Sequence, residues 1–376
     1  MRVRLTMRWI LWLLMLGLPG AQGHAATPIT VEQLRQYLTG PHALKMRDGE
    51  VAERLGAVTL SEQLTGRTLA DLFATTPMGP QTRDQLSLLA AASIWRDPPK
   101  AEQPDFPAPD ADLQKQWIGA VVSFANGYLQ HLPDFLATRV TQSFDNMPQA
   151  AKQKHAPRIA LHPVGATHRA IAYRNGHEEV DAAAAEAAAG ASATTEGSNL
   201  SSWGEFGPVL TTVLGDAFAG SVQFAHWDAG TSGNRIAVLH FSVPRSGSHY
   251  LVDFCCYRTD EDSGWMRFRD TPGYHGDITF DPNAGQIRRL SVEADLQSSD
   301  AVEASGIAVE YGQVQIGGRA YTCPVKSTAI LVAHDFEMKK VDGVGLVTHL
   351  NETSFLSYRK FGSTTRILSA GHDSER

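Results

Sequence analysis

Cysteine is scarce and clusters of positive charge are missing from this 376-residue chain, which contains three cysteines and carries a formal net charge of −7. So few cysteines exclude a small scaffold held together by many disulfides. A negative chain without a basic patch is not typical of proteins that bind nucleic acid or an anionic membrane surface. We therefore expect no nucleic acid among its partners.

Motifs that would identify an enzyme are missing as well. The sequence has no Gly-x-Ser-x-Gly elbow, no phosphate-binding loop and no dinucleotide-binding glycine fingerprint. His226 and Asp228 flank Trp227, so on a strand the two would share a face and could reach a metal. The simpler interpretation is a polar outer face with Trp227 pointing inward. We predict a protein without catalytic residues, metal or cofactor.

The one long apolar run lies at the N-terminus, from Trp9 to Leu18. Arg2, Arg4 and Arg8 precede the run, and small residues lead from it to Ala25. This order is typical of a secretory signal peptide. The run is too short for a membrane span, which takes about 20 residues. We expect residues 1–25 to be removed near Ala25 and the mature chain to work in the periplasm or outside the cell, without spanning a membrane.

A helical module is predicted at residues 26–96. Thr30, with Gln33 three residues on, forms a capping-box pattern that opens a first helix. Apolar residues at helical spacing continue to Trp95, and glycines and prolines separate the short helices. A proline-rich stretch at residues 97–109 then predicts an extended, semi-rigid linker and a domain boundary.

Residues 110–362 change to β character after one long amphipathic helix that ends near His131. A half-buried strand is predicted at 135–144, Asn175-Gly176 is a two-residue hairpin signal, and short apolar runs separated by turn residues follow. Many short strands at close spacing indicate an antiparallel sheet. We predict an α+β fold: a small helical N-terminal module followed by a large curved antiparallel sheet, a half-barrel, with covering helices.

Two segments interrupt the predicted strands. The alanine-rich stretch at 181–199 predicts a flexible insert. Ser202 with Glu205 then predicts a capped helix through about Phe218, which would cover one face of the sheet. Residues 363–376 are predicted to be a strand end and a polar tail.

The three cysteines are Cys255, Cys256 and Cys323. Because neighbouring side chains of a strand point to opposite faces, Cys256 would share an apolar face with Phe254 while Cys255 points away. Cys256 and Cys323 are therefore the better-matched candidates for a disulfide in an oxidising compartment. Pairing through Cys255, and three reduced cysteines packed in the interior, remain open alternatives.

Apolar side chains on the predicted strands form one large layer. Its candidate ligand-binding members are Phe224, Val238, Phe241, Val252, Phe254, Leu290, Val309, Tyr311 and Ile330. Such a layer either fills a core between sheet and helix or lines a cavity that accepts an apolar ligand. The sequence does not distinguish between the two.

Three stretches of the C-terminal region carry a resemblance to a known superfamily. They are DPNAGQIRRL at 281–290, VEYG at 309–312 and IGGRAYTCP at 316–324. With the order of elements from 113 to 360, they resemble the periplasmic half-barrel proteins that include the lipoprotein carrier LolA and the lipoprotein-sensing domain of RseB. The resemblance implies a curved antiparallel sheet that wraps around helices, an apolar cavity and no cofactor. The whole chain also resembles a family of exported bacterial proteins of unassigned function.

Three functional hypotheses follow. The first is a non-enzymatic periplasmic binding or sensing protein whose curved sheet holds an apolar ligand, either a lipid acyl chain or a lipoprotein. In this hypothesis the helical module is a second docking surface, for example for an envelope protein. The second is a structural or envelope protein-interaction module with a solid core. The third is a metal-dependent hydrolase that uses His226 and Asp228, which requires a further ligand converging on them.

Overall fold

The computed structural model describes residues 28–147, 160–180, 200, 205–230, 234–257, 266–297 and 301–361. The predicted signal peptide at 1–25, the alanine-rich insert at 181–199, the cap at Ser202 and the tail at 363–376 lie outside the described residues.

Four short helices form the N-terminal module: α1 (Val31–Thr39), α2 (Asp48–Gly56), α3 (Gly66–Thr75) and α4 (Pro80–Ala92). The predicted capping box at Thr30 and Gln33 is present at the start of α1. These helices are too short to be stable alone, so they depend on a shared core. That core contains Leu34, Leu55, Leu64, Leu72 and Leu86, each at most 1% exposed.

One carboxylate joins two helices of the module. Asp48, the first residue of α2, accepts hydrogen bonds from the backbone N–H groups of Gln81 (2.9 Å) and Thr82 (3.1 Å) in the first turn of α4. These N–H groups have no partner within their own helix, and a carboxylate at a helix N-terminus also interacts favourably with the helix dipole. The hydrogen bonds lower the pKa of Asp48 despite the opposing effect of its desolvation.

The described residues contain twelve strands. They are β1 (Phe135–Asp145), β2 (His162–Arg174), β3 (His177–Val180), β4 (Ser221–Ala229), β5 (Arg235–Val243), β6 (Val252–Tyr257), β7 (Met266–Asp270), β8 (Tyr274–Asp281), β9 (Gln286–Ala294), β10 (Val302–Ile316), β11 (Arg319–His334) and β12 (Leu346–Lys360). Ten of them form one antiparallel sheet in the order β3-β2-β1-β12-β11-β10-β9-β8-β5-β4, and β6 pairs with β7 separately. The predicted Asn175-Gly176 turn joins β2 to β3, with both residues at positive φ.

Two helices cover one face of the sheet, which we call the inner face. They are α5 (Ala111–His131) and α6 (Pro208–Ala219). Their apolar side chains pack in one cluster with strands β4, β5 and β8–β11. The β6–β7 hairpin covers another part of the same face, where Phe254 packs against Val302 and Leu331. A further short helix, α7 (Phe336–Asp342), precedes β12.

The helical module lies on the opposite, outer face of the sheet. Leu88 and Ala91 of α4 pack against Phe144 of β1 and Leu350 of β12. The Trp95 indole N–H donates a hydrogen bond to the Val292 carbonyl of β9, at 3.2 Å. The sheet is therefore covered on both faces.

The α+β class and the large antiparallel sheet are confirmed, but the sheet is not strongly curled.

The residues that follow Trp95 form hydrogen bonds with both the helical module and the sheet. The Asp97 carbonyl accepts a hydrogen bond from the Gln63 N–H of the module, and the Pro107 carbonyl accepts one from the Trp227 indole of β4. Among the described residues, no helix is both long enough and apolar enough to cross a bilayer.

Candidate functional site

The inner face was the expected ligand site, and its apolar side chains are tightly packed. Phe241, Leu290 and Val309 are at most 1% exposed, and Tyr311 is 4% exposed. They share one cluster with α5 and α6, and Phe224 on the edge strand β4 packs against that cluster. Side chains of the two helices therefore occupy the place where an apolar ligand was expected.

The remaining predicted lining residues lie elsewhere, so the nine do not share one surface. Val238 lies three positions before Phe241 on β5, and strand alternation places the two on opposite faces. Ile330 also faces outward and packs against the α4–β1–β12 cluster. Val252 and Phe254 belong to the separate β6–β7 hairpin. Treating every apolar strand residue as one layer was wrong because both faces of the sheet are covered.

A buried ion pair also occupies the inner face. Arg139 of β1 lies 2.5 Å from the Glu205 carboxylate, and Glu205 is fully buried. Ser327 of β11 donates a second hydrogen bond to the same carboxylate oxygen, at 3.2 Å. Burial, together with the nearby Glu205, raises the pKa of Tyr311 above its usual range. Arg139 and Ser327 both bond to Glu205, so these three side chains are part of the core.

The predicted Cys256–Cys323 disulfide is not formed in the structure. Cys255 and Cys256 are joined to each other on β6 of the small hairpin, while Cys323 is a buried free thiol on β11 of the large sheet. Cys323 packs with Phe135, Phe206 and other inner-face side chains. Burial raises its pKa to about 12, so the thiol stays protonated near neutral pH.

His226 and Asp228, the hypothesised metal ligands, do not belong to a metal-binding group of three side chains among the residues that the structure describes. Trp227 is buried on the inner face, and His226 points the other way toward Asp97, at 4.0 Å. Burial lowers the pKa of His226, opposed in part by Asp97. Within the described ranges no group of three metal-binding side chains occurs. The polar outer face with an inward tryptophan is the arrangement observed.

Histidine–carboxylate pairs continue along the outer face of β5, β8 and β9. His240 Nδ1 lies 2.9 Å from Asp277, and the two nitrogens of His275 lie 3.2 Å from Glu293 and 2.7 Å from Asp295. The hydrogen bonds to Glu293 and Asp295 raise the pKa of His275 to about 9. Asp277 likewise raises the pKa of His240. The side chains form local ion pairs on the sheet surface.

Two adjoining cavities of the described structure lie between the helical module and the outer face. A cavity of about 670 Å³, which we call the outer chamber, separates α2 and α4 from β1, β2 and β12. Its lining includes Ala52, Glu53, Gln81, Asp84, Gln85, Leu88, Gln142, Phe144, His162, Ala166 and Glu352. Leu88 and Phe144 are large apolar side chains of this lining, and most of its polar side chains are amides and carboxylates.

A second cavity of about 260 Å³ adjoins the first and also lies between the helical module and the outer face. We call it the inner chamber, and it is not part of the inner face. Gln85 and Leu88 line both chambers, so the two are neighbours along α4. The inner chamber has a mixed lining. Its aliphatic members include Leu55, Leu60, Leu89, Leu161, Ile330 and Val332, and its polar members include Arg96, Asn146 and Glu293. The two chambers together are called the groove below.

Close contacts fix the walls of the groove. The Gln85 side-chain amide donates a hydrogen bond to the Leu161 carbonyl at the start of β2, at 2.8 Å. Gly56 at the end of α2 approaches Ala160 so closely that a Cβ on Gly56 would lie 2.0 Å from the Ala160 Cβ. Trp95 anchors the far end of the module to β9. Because both ends are held, the space between them is a defined cleft.

The charge of the outer chamber is negative. Glu53 and Asp84 are exposed, and neither has a hydrogen-bonding or ionic partner among the described residues. Glu352 is paired with Lys326 at 2.7 Å, and His162 lies 3.6 Å from Asp145. Lysine and arginine do not occur in the described lining.

The lining also contains one hydroxyl residue, Ser87, which donates its hydrogen bond to the Arg83 carbonyl. The arrangement suits binding of a polar or cationic group.

Sequence reasoning missed the outer chamber and included Ile330 of the inner chamber for a different reason. Gln81, Gln85 and Gln142 have no motif spacing, and they come together only when the module docks on the sheet. The available signal was weak: glutamine and aspartate repeat along α4 beside its apolar stripe. Comparison of the chain with protein-family models, with curated proteins and with solved structures gave no match.

Proposed function

We propose that this protein is a non-enzymatic binding protein whose groove takes an extended segment of another polypeptide. The observation that carries the proposal is the outer chamber of about 670 Å³ between the helical module and the sheet. Its volume falls within the usual range for ligand sites, about 300–1,000 Å³, and such sites occur preferentially where two structural units meet.

The lining suits a peptide backbone. Gln81 and Gln142 are exposed, and within the described part of the chain no hydrogen bond engages their side-chain amides, which leaves them available to a ligand. A side-chain amide both donates and accepts hydrogen bonds, as a peptide group does. The oxygen of Gln85 can accept in the same way, because its nitrogen is the atom bonded to Leu161. Leu88 and Phe144 provide an apolar floor for side chains.

The inner face is a less suitable site for the acyl chain of a lipid or lipoprotein. An acyl chain there would have to displace fully buried side chains such as Leu210 and Val213 of α6, which pack on Phe241. Each such displacement forfeits about 1.5–3 kcal/mol of burial before the ligand contributes. We therefore favour an interaction module with a filled inner layer, which binds on its outer face. If residues 1–25 direct export as the sequence predicts, the bound polypeptide is an envelope or secreted one.

Retention of peptides by the immobilised chain tests the proposal. The probe is a pool of hexapeptides of varied sequence, acetylated and amidated at their ends, and the bound fraction is measured by mass spectrometry. Gln142→Trp places a bulky ring in the outer chamber at an exposed strand position, where an aromatic residue is well tolerated. Gln315→Trp is the matched control, because Gln315 is exposed on β10 and lines neither chamber.

We expect the unmodified chain and Gln315→Trp to retain the same peptides, and Gln142→Trp to retain at least tenfold less. Equal retention by Gln142→Trp would place peptide binding outside the groove. A pool that passes through all three proteins unretained would overturn the proposal.

A further inference from the structure

We infer that the polypeptide segment bound in the groove pairs a lysine or arginine side chain with a neighbouring large aliphatic one. The cationic group would lie in the outer chamber beside Glu53 and Asp84, and the aliphatic group in the inner chamber beside Ile330 and Val332. This inference rests on the proposed function and specifies the chemistry of the ligand.

The cationic half of the inference comes from unbalanced charge. Glu53 on α2 and Asp84 on α4 line the outer chamber from neighbouring helices, and neither has an ionic partner among the described residues. The third carboxylate of the lining, Glu352, already has Lys326. A cleft bordered by one sign of charge concentrates ligands of the opposite sign and accelerates their association. The net charge of −7 adds attraction at longer range.

A ligand cation meets no competitor in the outer chamber. The described lining contains no lysine or arginine, and its one histidine, His162, is directed toward Asp145. An acidic segment would place its charge beside two carboxylates without a compensating donor, which is unfavourable. The lining thus selects for positive charge and against negative charge.

The aliphatic half of the inference comes from the inner chamber. Leu55, Leu89, Ile330 and Val332 supply an aliphatic side of this chamber. Its two charged members, Arg96 and Glu293, interact with each other, so they offset each other's charge. With about 260 Å³ of space, the chamber accommodates one large side chain such as leucine or isoleucine. Burying that side chain contributes binding free energy through the hydrophobic effect. Gln85 and Leu88, which line both chambers, set the two side chains of the ligand close together along one segment.

The composition of the retained hexapeptides tests this pairing. The same pool is applied to the unmodified chain, to the double variant Glu53→Gln/Asp84→Asn, and to Glu32→Gln. Glu32 is an exposed carboxylate on α1 that lines neither chamber, so its variant controls for a general change in charge. Both variants replace exposed carboxylates by amides of the same shape, which leaves the core of the module unchanged.

We expect the bound fraction to be enriched in peptides with lysine or arginine next to leucine or isoleucine. Their binding should be about three- to tenfold weaker in the double variant, as expected for loss of two exposed ion pairs, and unchanged in Glu32→Gln. It should also weaken as sodium chloride is raised from about 50 to 500 mM, because salt screens exposed charges.

The outcomes separate this inference from the proposed function. Retained peptides without a cationic bias, an acidic bias, or equal binding to the double variant would overturn the inference while peptide binding stands. If no hexapeptide of any charge is retained, the proposed function itself fails, and the inference with it.

Discussion

The two faces of the ten-stranded sheet are covered in different ways. On the inner face, α5, α6 and the β6–β7 hairpin fill the surface with a continuous apolar cluster. On the outer face, the helical module touches the sheet through Leu88, Ala91, Trp95 and a few hydrogen bonds, and two chambers remain between them. The inner face therefore supplies stability, while the outer face contains the groove in which we propose that a ligand binds.

The difference follows from the shapes that meet at each face. Long helices with an apolar stripe pack along a sheet without gaps, as α5 does through Trp117, Val121 and Tyr128. The short helices of the module already bury their apolar side chains in their own core. Only one side of α4 remains for the sheet, so contact is local and clefts persist between the contacts.

The largest effect is expected for a large apolar side chain of the inner face. Phe241→Ala should lower the free energy of unfolding by about 3–5 kcal/mol, because it removes a fully buried ring and leaves a cavity. Urea denaturation followed by circular dichroism measures the loss. Leu356→Ala is the control, since Leu356 is 51% exposed and should cost less than about 0.5 kcal/mol. Similar losses in the two variants would contradict a packed inner layer.

Breaking the buried ion pair should cost almost as much. Glu205→Leu leaves the Arg139 guanidinium buried without its closest carboxylate, and we expect a loss of about 3 kcal/mol. The double variant Arg139→Met/Glu205→Leu should recover part of that loss, because neither member of the pair is left without the other. Recovery is incomplete because Glu178, which lies 3.6 Å from Arg139, loses that guanidinium. Unfolding of both variants in urea gives the comparison. A double variant as unstable as the single one would show that the pair is needed for more than mutual neutralisation.

A smaller effect is expected where the module touches the outer face. An added Cβ on Gly306 of β10 would lie 2.9–3.0 Å from the Trp95 indole and 3.0 Å from the Val292 carbonyl, so Gly306→Ala should destabilise by about 1–3 kcal/mol. Amide hydrogen exchange should rise in α4 and β9 and stay unchanged in α6. The control Gly119→Ala adds a methyl into open space on α5 and should stabilise by about 0.5–1 kcal/mol. Unchanged exchange in α4 would contradict the docking contact.

The smallest effect concerns the ion pairs of the outer face. Because the folded-state pKa of His275 is raised to about 9, above the unfolded value of about 6.5, its pairs with Glu293 and Asp295 stabilise fully below pH 6.5. That contribution is lost as the pH rises through about 9. The His275 side chain is 38% exposed, so screening limits the effect to about 1 kcal/mol or less.

Chemical denaturation at pH 6 and pH 9.5 measures this contribution. His275→Gln should reduce the fall in the free energy of unfolding between the two pH values. His240, whose pKa Asp277 also raises, should preserve a part of the fall. An identical fall in the variant would mean that the His275 pairs do not form in solution.

Much of the architecture was predictable because local patterns determined it. The capping box at Thr30, the turn at Asn175-Gly176 and the helix from Asp110 each have a short-range signature that the structure reproduces. The sequence pattern did not single out strand β12, although this strand lies in the sheet between β1 and β11. Its central positions include Asn351 and Thr353, which are buried polar residues rather than the apolar ones that mark a strand.

The candidate site was predictable only in small part. Alternation along a strand separates two faces but does not say which face a helix covers, so Val238 and Phe241 were placed in one layer although they face opposite ways. The groove depends on where α4 docks, and docking depends on contacts such as Trp95 over Gly306 that are far apart in sequence. Similarly, Cys256 lies on β6 of the two-stranded sheet and Cys323 on β11 of the ten-stranded one, a separation that alternation within a single strand does not indicate.

Amide hydrogen exchange with bound probes tests most directly which face binds. The unmodified chain is compared alone, with the retained hexapeptides and with palmitate as an acyl-chain probe. We predict that the hexapeptides slow amide exchange in α2, α4, β1 and β2, whose residues line the outer chamber. We also predict that palmitate leaves the exchange rates of α5 and α6 unchanged. Protection of α5 and α6 by palmitate, with no protection of the groove by peptides, would contradict the assignment of binding to the outer face.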